Sequence, residues 1–197
     1  MAVHASEETR RTQLLDAAKR CFAARGYHET KVDDIVREAG LSKGALYWYF
    51  KSKEELLDTL CHEFSEELKG VFLKAHQGET TDPVYVMIEV CTAMFDRILA
   101  DPDRRLIWME HWSLAVRDPQ TQARQAALYQ GWIELALPLI ERGITEGSLK
   151  PVNPQHLLLG LMAQFDGLMV IQAFCPELDV RDIWRSNIQM LLEGIRT

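Results

Sequence analysis

Apolar residues recur at spacings of three and four along almost the whole chain, which is the period of a helix with one buried face. Proline and glycine fall mainly between these stretches. No segment of strand length shows the alternation of β-branched and polar residues that marks a half-buried strand. The pattern therefore predicts an all-α protein.

Capping and stop residues divide this pattern into nine predicted helices. Short polar side chains that can accept an N–H of the first turn precede four of them, at Ser6, Thr30, Ser42 and Ser52. Gly26 and Gly40 stand where helices should end. The predicted helices span residues 6–25, 30–39, 43–50, 52–77, 83–100, 103–116, 119–146, 154–174 and 179–196.

The second and third helices are short and are joined at Gly40, which predicts a helix-turn-helix. In the third helix Leu46 and Phe50, four residues apart, should face inward. The remaining residues then face outward, among them two large aromatics, Tyr47 and Trp48. An alternative is that the aromatics belong to the core and the lysines to a solvated face. Eight consecutive residues cannot all face inward, however, so a surface role is favoured, least clearly for Tyr49.

The net charge of −7 is unevenly distributed. Residues 1–55 hold ten Lys and Arg against nine Asp and Glu, so this segment carries +1 and the remainder −8. Phosphate contact needs only a local basic surface, whereas the total charge governs solubility and steering. The charge pattern therefore permits a DNA-binding head on an acidic body. The predicted domains are a helix-turn-helix head at residues 1–52 and a larger body at 53–197, connected by the helix at 52–77.

Residues 10–60 resemble the TetR family of regulators without gaps. The resemblance is carried by Leu15-x-x-Ala18-x-x-x-x-Phe22-x-x-x-Gly26-Tyr27, by Thr30-x-Val32-x-x-Ile35 and above all by Ala39-Gly40-Leu41-Ser42-Lys43-Gly44-Ala45-Leu46-Tyr47-Trp48-Tyr49-Phe50-Lys51-Ser52-Lys53-Glu54-x-Leu56. It implies a homodimeric, ligand-responsive regulator that binds palindromic double-stranded DNA, usually as a repressor. Val36 departs from the alanine that the family usually has there.

The chemistry of these positions agrees with a DNA-binding role. Lys43 can reach the O6 and N7 atoms of guanine, while Gly44 and Ala45 allow close approach and contact with a thymine methyl. Tyrosine and tryptophan side chains suit phosphate and sugar contact. The residues predicted to contact the sugar-phosphate backbone of DNA are therefore Thr30, Lys31, Tyr47, Trp48, Tyr49, Lys51 and Lys53.

The body contains many large, adaptable side chains that are suited to an effector pocket. The predicted effector-binding residues are Phe95, Trp108, Trp112, Tyr129, Trp132, Met162, Phe165, Asp166 and Met169. This half also resembles, more loosely, the TetR subgroup that includes choline-responsive regulators. The residues that carry this likeness are Trp108-x-x-x-Trp112-x-x-Ala115-x-Arg117-Asp118-Pro119, Leu128-Tyr129-x-x-Trp132, Gly143-x-x-x-Gly147 and Asp166-Gly167-Leu168. An apolar or amphipathic effector is ranked ahead of a cationic one, and neither is excluded.

The eighth predicted helix is apolar nearly all round and therefore needs cover on two sides. We expect one side to pack on its own body and the other on the same helix of a second copy, as in the family. The expected additions to this interface are Ile183, Trp184, Ile188, Leu191 and Leu192.

Other functional classes find less support. The four cysteines are widely spaced, and the fragment that begins His62-Glu63 has Glu66 where a zinc-protease motif needs histidine, so no metal, cofactor or enzymatic activity is expected. No apolar run reaches membrane length and the charged N-terminal segment is unlike a secretion signal, so a cytoplasmic protein without membrane contact is expected. A helix-turn-helix regulator that responds to a protein partner, or to no small molecule, remains the alternative.

Overall fold

The computed structural model describes residues 7–76 and 82–197, with only the backbone at 75 and 76. Within these ranges the chain forms nine helices and no strand, which confirms the all-α prediction. The helices are α1 (Glu7–Glu29), α2 (Val32–Ala39), α3 (Lys43–Tyr49), α4 (Lys53–His76), α5 (Pro83–Leu99), α6 (Pro102–Ala115), α7 (Pro119–Thr145), α8 (Pro154–Phe174) and α9 (Val180–Gly194). Their ends lie within about one turn of the predicted ends. The predicted cap Ser6 and the predicted helix end at residue 77 lie outside the described residues.

The described chain packs as two units. The head unit comprises the described residues up to Ser65 together with Asp101–Gln125, and the body unit comprises Glu66–Ala100 and Ala126–Thr197. The helices α4 and α7 contribute residues to both units. The predicted functional boundary between residues 52 and 53 stays a prediction.

The head unit is built around α1, which packs against α2 and α6. One apolar stripe of α1 is buried, at Leu14, Leu15, Ala18 and Phe22. It meets inward-facing residues of the following helices, namely Ile35, Leu46, Phe50, Leu56 and Leu57. Burying these side chains removes apolar surface from water and holds the short helices α2 and α3, which could not persist alone.

The junction between α1 and α2 differs in one detail from the prediction. Gly26 has φ +77°, a left-handed conformation that glycine adopts without strain, and it interrupts the helix as expected. The Thr30 hydroxyl, however, donates to the carbonyl oxygens of Gly26 and Cys21, at 2.8 and 3.1 Å. It therefore does not cap α2. The cap position falls on Lys31, whose N–H donates to the Asp34 carboxylate at 3.1 Å.

The turn between α2 and α3 has the geometry of a helix-turn-helix. Gly40 is left-handed, with φ +66°, and its N–H donates to the Arg37 carbonyl. The Ser42 side chain then accepts the Ala45 N–H at 3.1 Å and begins α3. The chain reverses within a few residues, so α3 starts directly after α2 ends.

The body unit packs α9 against α5 and α8. Its centre is an aromatic trio in which Phe95 stacks on Trp184 at a centroid distance of 5.0 Å, and Phe165 meets both rings edge-on. The Trp184 indole N–H donates to the Cys91 carbonyl at 3.0 Å, so this buried polar group is satisfied.

One expectation for α9 needs correction. The sequence predicts that Trp184, Ile188 and Leu192 contact a second copy, but each is 1% exposed or less within its own body unit. They face the chain's own core, while Met190 and Leu191, which lie between Ile188 and Leu192 in sequence, are exposed. The helical spacing of apolar residues in α9 predicts a buried face, but it does not indicate whether this chain or a second copy covers that face.

An exposed apolar stripe runs along α8. It comprises Leu159, Gly160, Ala163, Gly167, Ile171 and Phe174. Among the described helices, α8 is also the one that is long and apolar enough to cross a membrane by length and composition. The expectation that no run reaches membrane length therefore does not hold for this helix on those two criteria.

Candidate DNA-binding surface and effector site

The outward face of α3 begins with Lys43, whose side chain is exposed. Its ammonium lies 2.8 Å from a carboxylate oxygen of Asp33 on α2, and this hydrogen bond raises the pKa of Lys43. The lysine is therefore charged and is held at the N-terminal end of α3 by a solvated partner. The sequence analysis did not predict the contact with Asp33. The available signal was that Asp33 and Lys43 have opposite charges and lie ten positions apart on either side of a predicted tight turn.

Two large aromatic side chains continue this face. Tyr47 is 55% exposed and Trp48 76% exposed, although side chains of this kind usually have most of their surface covered. Tyr49 is half-buried and packs against the core of the head unit. The face predicted from the sequence is thus present for Tyr47 and Trp48, whereas Tyr49 is divided between core and surface.

Gly44 and Ala45 lie beside Lys43 in the first turn of α3. A Cβ built on Gly44 would meet nothing closer than the Ser42 hydroxyl oxygen at 3.7 Å, an ordinary van der Waals contact. The fold of the described residues therefore does not require glycine at this exposed position. Its small size is available for close approach by something outside the chain.

The predicted phosphate contacts divide into two sets. Lys31 and Lys51 are exposed near the ends of α2 and α3. Thr30 is buried, and its hydroxyl is used inside the head unit. The Lys53 ammonium donates to the carbonyl oxygens of Tyr27 and Thr30, at 2.6 and 2.8 Å.

Lys53 thus binds the backbone that follows Gly26. Its ammonium lies 4.2 Å from the centre of the Tyr27 ring, a cation–π contact. Partial burial lowers the pKa of Lys53, while Glu29 and Glu110 act against that shift. In this arrangement the lysine ties the start of α4 to the end of α1.

Two of the predicted effector residues lie in the head unit. The Trp108 ring meets Phe64 and Trp112 edge-on, at centroid distances of 5.7 and 6.3 Å. Trp108 also packs against the core that supports α1 to α3. Both tryptophans retain partial exposure.

The other seven predicted effector residues lie in the body unit. Phe95, Phe165 and Met169 contribute to its interior, and Phe95 has no exposed surface. Trp132 and Met162 are half-buried. The structure brings Tyr129 and Asp166 together, because the Tyr129 hydroxyl donates to the Asp166 carboxylate.

The Tyr129–Asp166 pair has unusual titration behaviour. Burial raises the pKa of Asp166 to about 6, against the opposing effect of the Tyr129 hydrogen bond. Burial, together with the nearby carboxylate, also raises the pKa of Tyr129 above its ordinary value. The phenol is therefore neutral near pH 7, and Asp166 is largely ionised.

A buried polar network in the head unit was not foreseen from the sequence. The ring nitrogens of His111 on α6 lie 2.9 Å from an Asp58 oxygen and 2.8 Å from the Gln125 side-chain oxygen. Arg124 reaches Asp58 at 2.8 Å and also contacts Glu54. Three helices, α4, α6 and α7, are joined through these groups.

The described residues contain no group of three His, Cys, Asp or Glu side chains placed to hold a metal ion. All four cysteines are free thiols, and burial raises the pKa of Cys91 to about 12.

Comparison with known proteins identifies both parts of the chain. The family profile of tetR-family bacterial regulatory proteins matches residues 14–60. The C-terminal profile of BetI-type transcriptional repressors matches residues 87–193. The HTH-type transcriptional regulator AcrR of Shigella flexneri is 32% identical to this chain over an alignment of 200 residues. The alignment covers 95% of this chain and 89% of that protein.

Solved structures share the fold. FadR from Bacillus subtilis in complex with stearoyl-CoA has a TM-score of 0.80 at 21% identity, over 93% of this chain and 98% of that one. A transcriptional regulator from Saccharomonospora viridis in complex with choline has a TM-score of 0.79 at 22% identity, over 95% and 97% of the two chains. The match to the AcrR relative over nearly the whole chain and the two family profiles establish that this protein belongs to the TetR family of DNA-binding transcriptional regulators.

Proposed function

We propose that this protein is a homodimeric, cytoplasmic repressor that binds a palindromic operator through α3 and leaves it when a small molecule binds the body. The observation that carries this proposal is the exposed face of α3, where Lys43, Tyr47 and Trp48 project from a helix whose opposite face is buried. A helix presented in this way fits the major groove of B-DNA.

Roles on the DNA follow from chemistry and exposure. Lys43, Gly44 and Ala45 read base edges, because they share the first turn of α3. Tyr47, Trp48 and the exposed edge of Tyr49 contact sugar and phosphate, and Lys31 and Lys51 neutralise phosphates on either side. Thr30 and Lys53 act indirectly: they hold the turn after Gly26 and so fix where α2 begins.

Asp33 sharpens this recognition. Its carboxylate would repel phosphate, and it pairs with Lys43 at 2.8 Å before DNA arrives. On a matching operator Lys43 leaves Asp33 and donates to the acceptors of a guanine. On other sequences the lost Lys43–Asp33 interaction is not replaced by hydrogen bonds to a base. The pair therefore raises the requirement for a correct base.

The exposed apolar stripe of α8 supports the dimer. Phe174 is 74% exposed, and a Cβ built on Gly160 or Gly167 meets nothing within 4 Å, so a partner helix can approach closely. The exposed residues Met190 and Leu191 of α9 extend the apolar surface. A two-fold contact between such surfaces positions two heads on successive major grooves.

The effector site belongs to the body, where Tyr129, Trp132, Met162 and Asp166 combine partial exposure with apolar and polar groups. Relatives with this fold have been solved with stearoyl-CoA and with choline, so the fold accommodates small molecules of different chemistry. Release from DNA requires that the effector bind the two states with different affinity.

Replacing Phe174 with aspartate tests the dimer and its link to DNA binding. We expect sedimentation to show monomers and the affinity for a palindrome selected by the parent protein to fall at least about tenfold, since one head loses its partner. Val116→Asp is the control, because Val116 is an equally exposed apolar residue at the end of α6. A Phe174→Asp protein that remains dimeric and binds the palindrome as the parent does would contradict the proposal.

A further inference from the structure

His111 is a buried histidine of the head unit, and both of its ring nitrogens face oxygen atoms. Nε2 lies 2.9 Å from an Asp58 carboxylate oxygen, and Nδ1 lies 2.8 Å from the Gln125 side-chain oxygen. An ionised carboxylate and an amide oxygen accept hydrogen bonds and do not donate them. Both ring nitrogens therefore have to donate, and only the protonated imidazolium carries a proton on each nitrogen.

The orientation of the Gln125 amide agrees with a protonated ring. Its oxygen faces His111, while its buried Nε2 has no hydrogen-bond partner among the described residues. Beside a neutral ring, a half-turn of the amide would let Nε2 donate to an unprotonated Nδ1. The observed orientation leaves a buried donor unsatisfied, which is unfavourable. A proton on Nδ1 explains why the oxygen, and not the Nε2 group, faces the ring.

The charges around His111 balance when the ring is protonated. Asp58 and Glu54 project from α4, and Arg124 of α7 lies 2.8 Å from an Asp58 oxygen and also contacts Glu54. Two carboxylates thus share one guanidinium. An imidazolium makes this group of four side chains neutral. A neutral ring instead leaves one negative charge uncompensated in a partly buried site, which is unfavourable.

Other titratable groups around this network are Tyr27 on α1, Cys61 on α4, Glu110 on α6 and Asp118 before α7. Burial raises the pKa of the Cys61 thiol and, together with the nearby carboxylates, the pKa of the Tyr27 phenol, so both groups are neutral near pH 7. Asp118 accepts the Thr121 N–H at the start of α7, and Glu110 acts on Lys53. None of these four groups supplies the positive charge that would balance Asp58 and Glu54.

The network borders the junction that precedes the helix-turn-helix. Glu54 directly follows Lys53 in the first turn of α4, and the Lys53 ammonium donates to two carbonyl oxygens of the segment just before α2. Asp58 lies about one turn further along α4. The contact between His111 and Asp58 therefore acts on the same helix whose first residue holds the chain at the start of α2.

We propose that His111 is a proton-dependent positioning residue for DNA binding: as an imidazolium it holds Asp58, and with it the start of α4, in the arrangement that presents α3 to the operator. Loss of the proton leaves a negative charge uncompensated and allows the Gln125 amide to turn, so the hold on α4 weakens. Operator affinity therefore falls as pH rises. The proposal rests on the proposed function, because it adds the proton as a second signal for the same repressor.

Nitrogen-15 NMR of the full-length protein, labelled at histidine, tests the charge of the ring. We expect both ring nitrogens of His111 to carry a proton at pH 7. The signals are assigned by their loss in His111→Gln and, independently, by their change in Asp58→Asn. One protonated and one unprotonated nitrogen at pH 7 would overturn the proposal.

Fluorescence anisotropy with a palindrome selected by the parent protein tests the link to DNA. From pH 6.5 to pH 9 we expect the affinity of the parent to fall at least about fivefold. His111→Gln should lose this pH dependence, because glutamine does not titrate. Asp58→Asn should lose it too, because a neutral ring then no longer faces an uncompensated carboxylate. A purely structural role of His111 would lower affinity in both variants and leave its pH dependence in place.

His28→Gln is the matched control, because His28 is an exposed histidine at the end of α1 in the same head unit. This variant should keep the pH dependence of the parent. Circular dichroism establishes that each variant is folded, and Asp58→Asn, which preserves the shape of the side chain, carries the test if His111→Gln does not fold. Loss of the pH dependence in His28→Gln, with retention in Asp58→Asn, would overturn the proposal.

The same titration separates this proposal from the proposed function. If the parent protein binds its selected palindrome with equal affinity from pH 6.5 to pH 9, the proposed function stands and the role of the His111 proton is refuted. If the protein binds no DNA sequence preferentially at any pH, the proposed function itself fails, and the proposal about His111 fails with it.

Discussion

His111 Nε2 lies 2.9 Å from Asp58 Oδ1, although the two residues are far apart in sequence. Its other ring nitrogen lies 2.8 Å from Gln125 Oε1, so one buried imidazole joins helices α4, α6 and α7. The same head unit holds α1 to α3. The unit that contains the helix-turn-helix is therefore held together in part by a buried polar contact among α4, α6 and α7.

Replacing His111 with alanine should destabilise the protein by about 3 kcal/mol, because Asp58 and Gln125 lose a partner in a largely buried site. Urea unfolding monitored by circular dichroism measures this change. His156→Ala, at an exposed histidine of α8, is the control and should stay within about 0.5 kcal/mol of the parent. Equal stabilities of the two variants would show that the network contributes nothing.

Lys51 and Lys53 should behave differently despite their proximity. Lys53→Met should lower the free energy of unfolding by about 1–2 kcal/mol, because the carbonyls of Tyr27 and Thr30 lose a charged donor. Lys51→Ala should leave stability unchanged and reduce the salt dependence of DNA binding by about one ion. Unfolding curves and binding isotherms at several salt concentrations measure both effects. A stability loss in Lys51→Ala, together with unchanged stability in Lys53→Met, would contradict this prediction.

Gly44→Ala should separate folding from DNA binding. A Cβ at Gly44 meets only Ser42 Oγ at 3.7 Å, so stability should be unchanged or slightly higher, by up to about 1 kcal/mol. DNA affinity should fall about tenfold, because the added methyl occupies space needed by a base edge. Gly70→Ala on α4, where a Cβ also has room, is the matched control. Unchanged affinity in Gly44→Ala would remove this residue from the contact surface.

The Asp166 carboxylate should make stability depend on pH. The unfolded chain releases this proton near the ordinary value of 3.8 and the folded chain near about 6, so the folded state holds more protons between these values. The contribution of this group to stability therefore decreases as pH rises through that window and is constant above it. Asp166→Asn removes the effect and should be more stable than the parent by about 2 kcal/mol at pH 7.5, with a smaller difference at pH 4.5. A variant that is less stable than the parent at pH 7.5 would contradict the raised pKa.

The helices could be predicted closely because each boundary carries a local signal, such as Gly40 with its left-handed φ or Pro154 after its Asn153 cap. The predicted cap of α2, Thr30, lies one residue before the observed cap Lys31, because the Thr30 hydroxyl donates to the preceding turn instead. Local sequence does not reveal which of these two bonds a threonine makes.

Contacts between residues that are far apart in the chain could not be predicted from the sequence. Trp184 belongs to a regular apolar face, but the period is the same whether the covering surface comes from this chain or from a second copy. The His111–Asp58 contact has no periodic signature at all, since it joins separate helices. Lys43 could be placed on the surface of α3, whereas its pairing with Asp33 depends on the angle between two helices.

The central claim is that the exposed face of α3, led by Lys43, reads DNA. Fluorescence anisotropy with a palindrome selected by the parent protein tests it most directly, using Lys43→Ala and, as control, Lys74→Ala at an exposed position of α4. The account predicts that Lys43→Ala weakens binding about tenfold or more and relaxes the preference at one base pair of each half-site, while Lys74→Ala changes neither. A Lys43→Ala protein that binds the palindrome with the parent's affinity and sequence preference would contradict it.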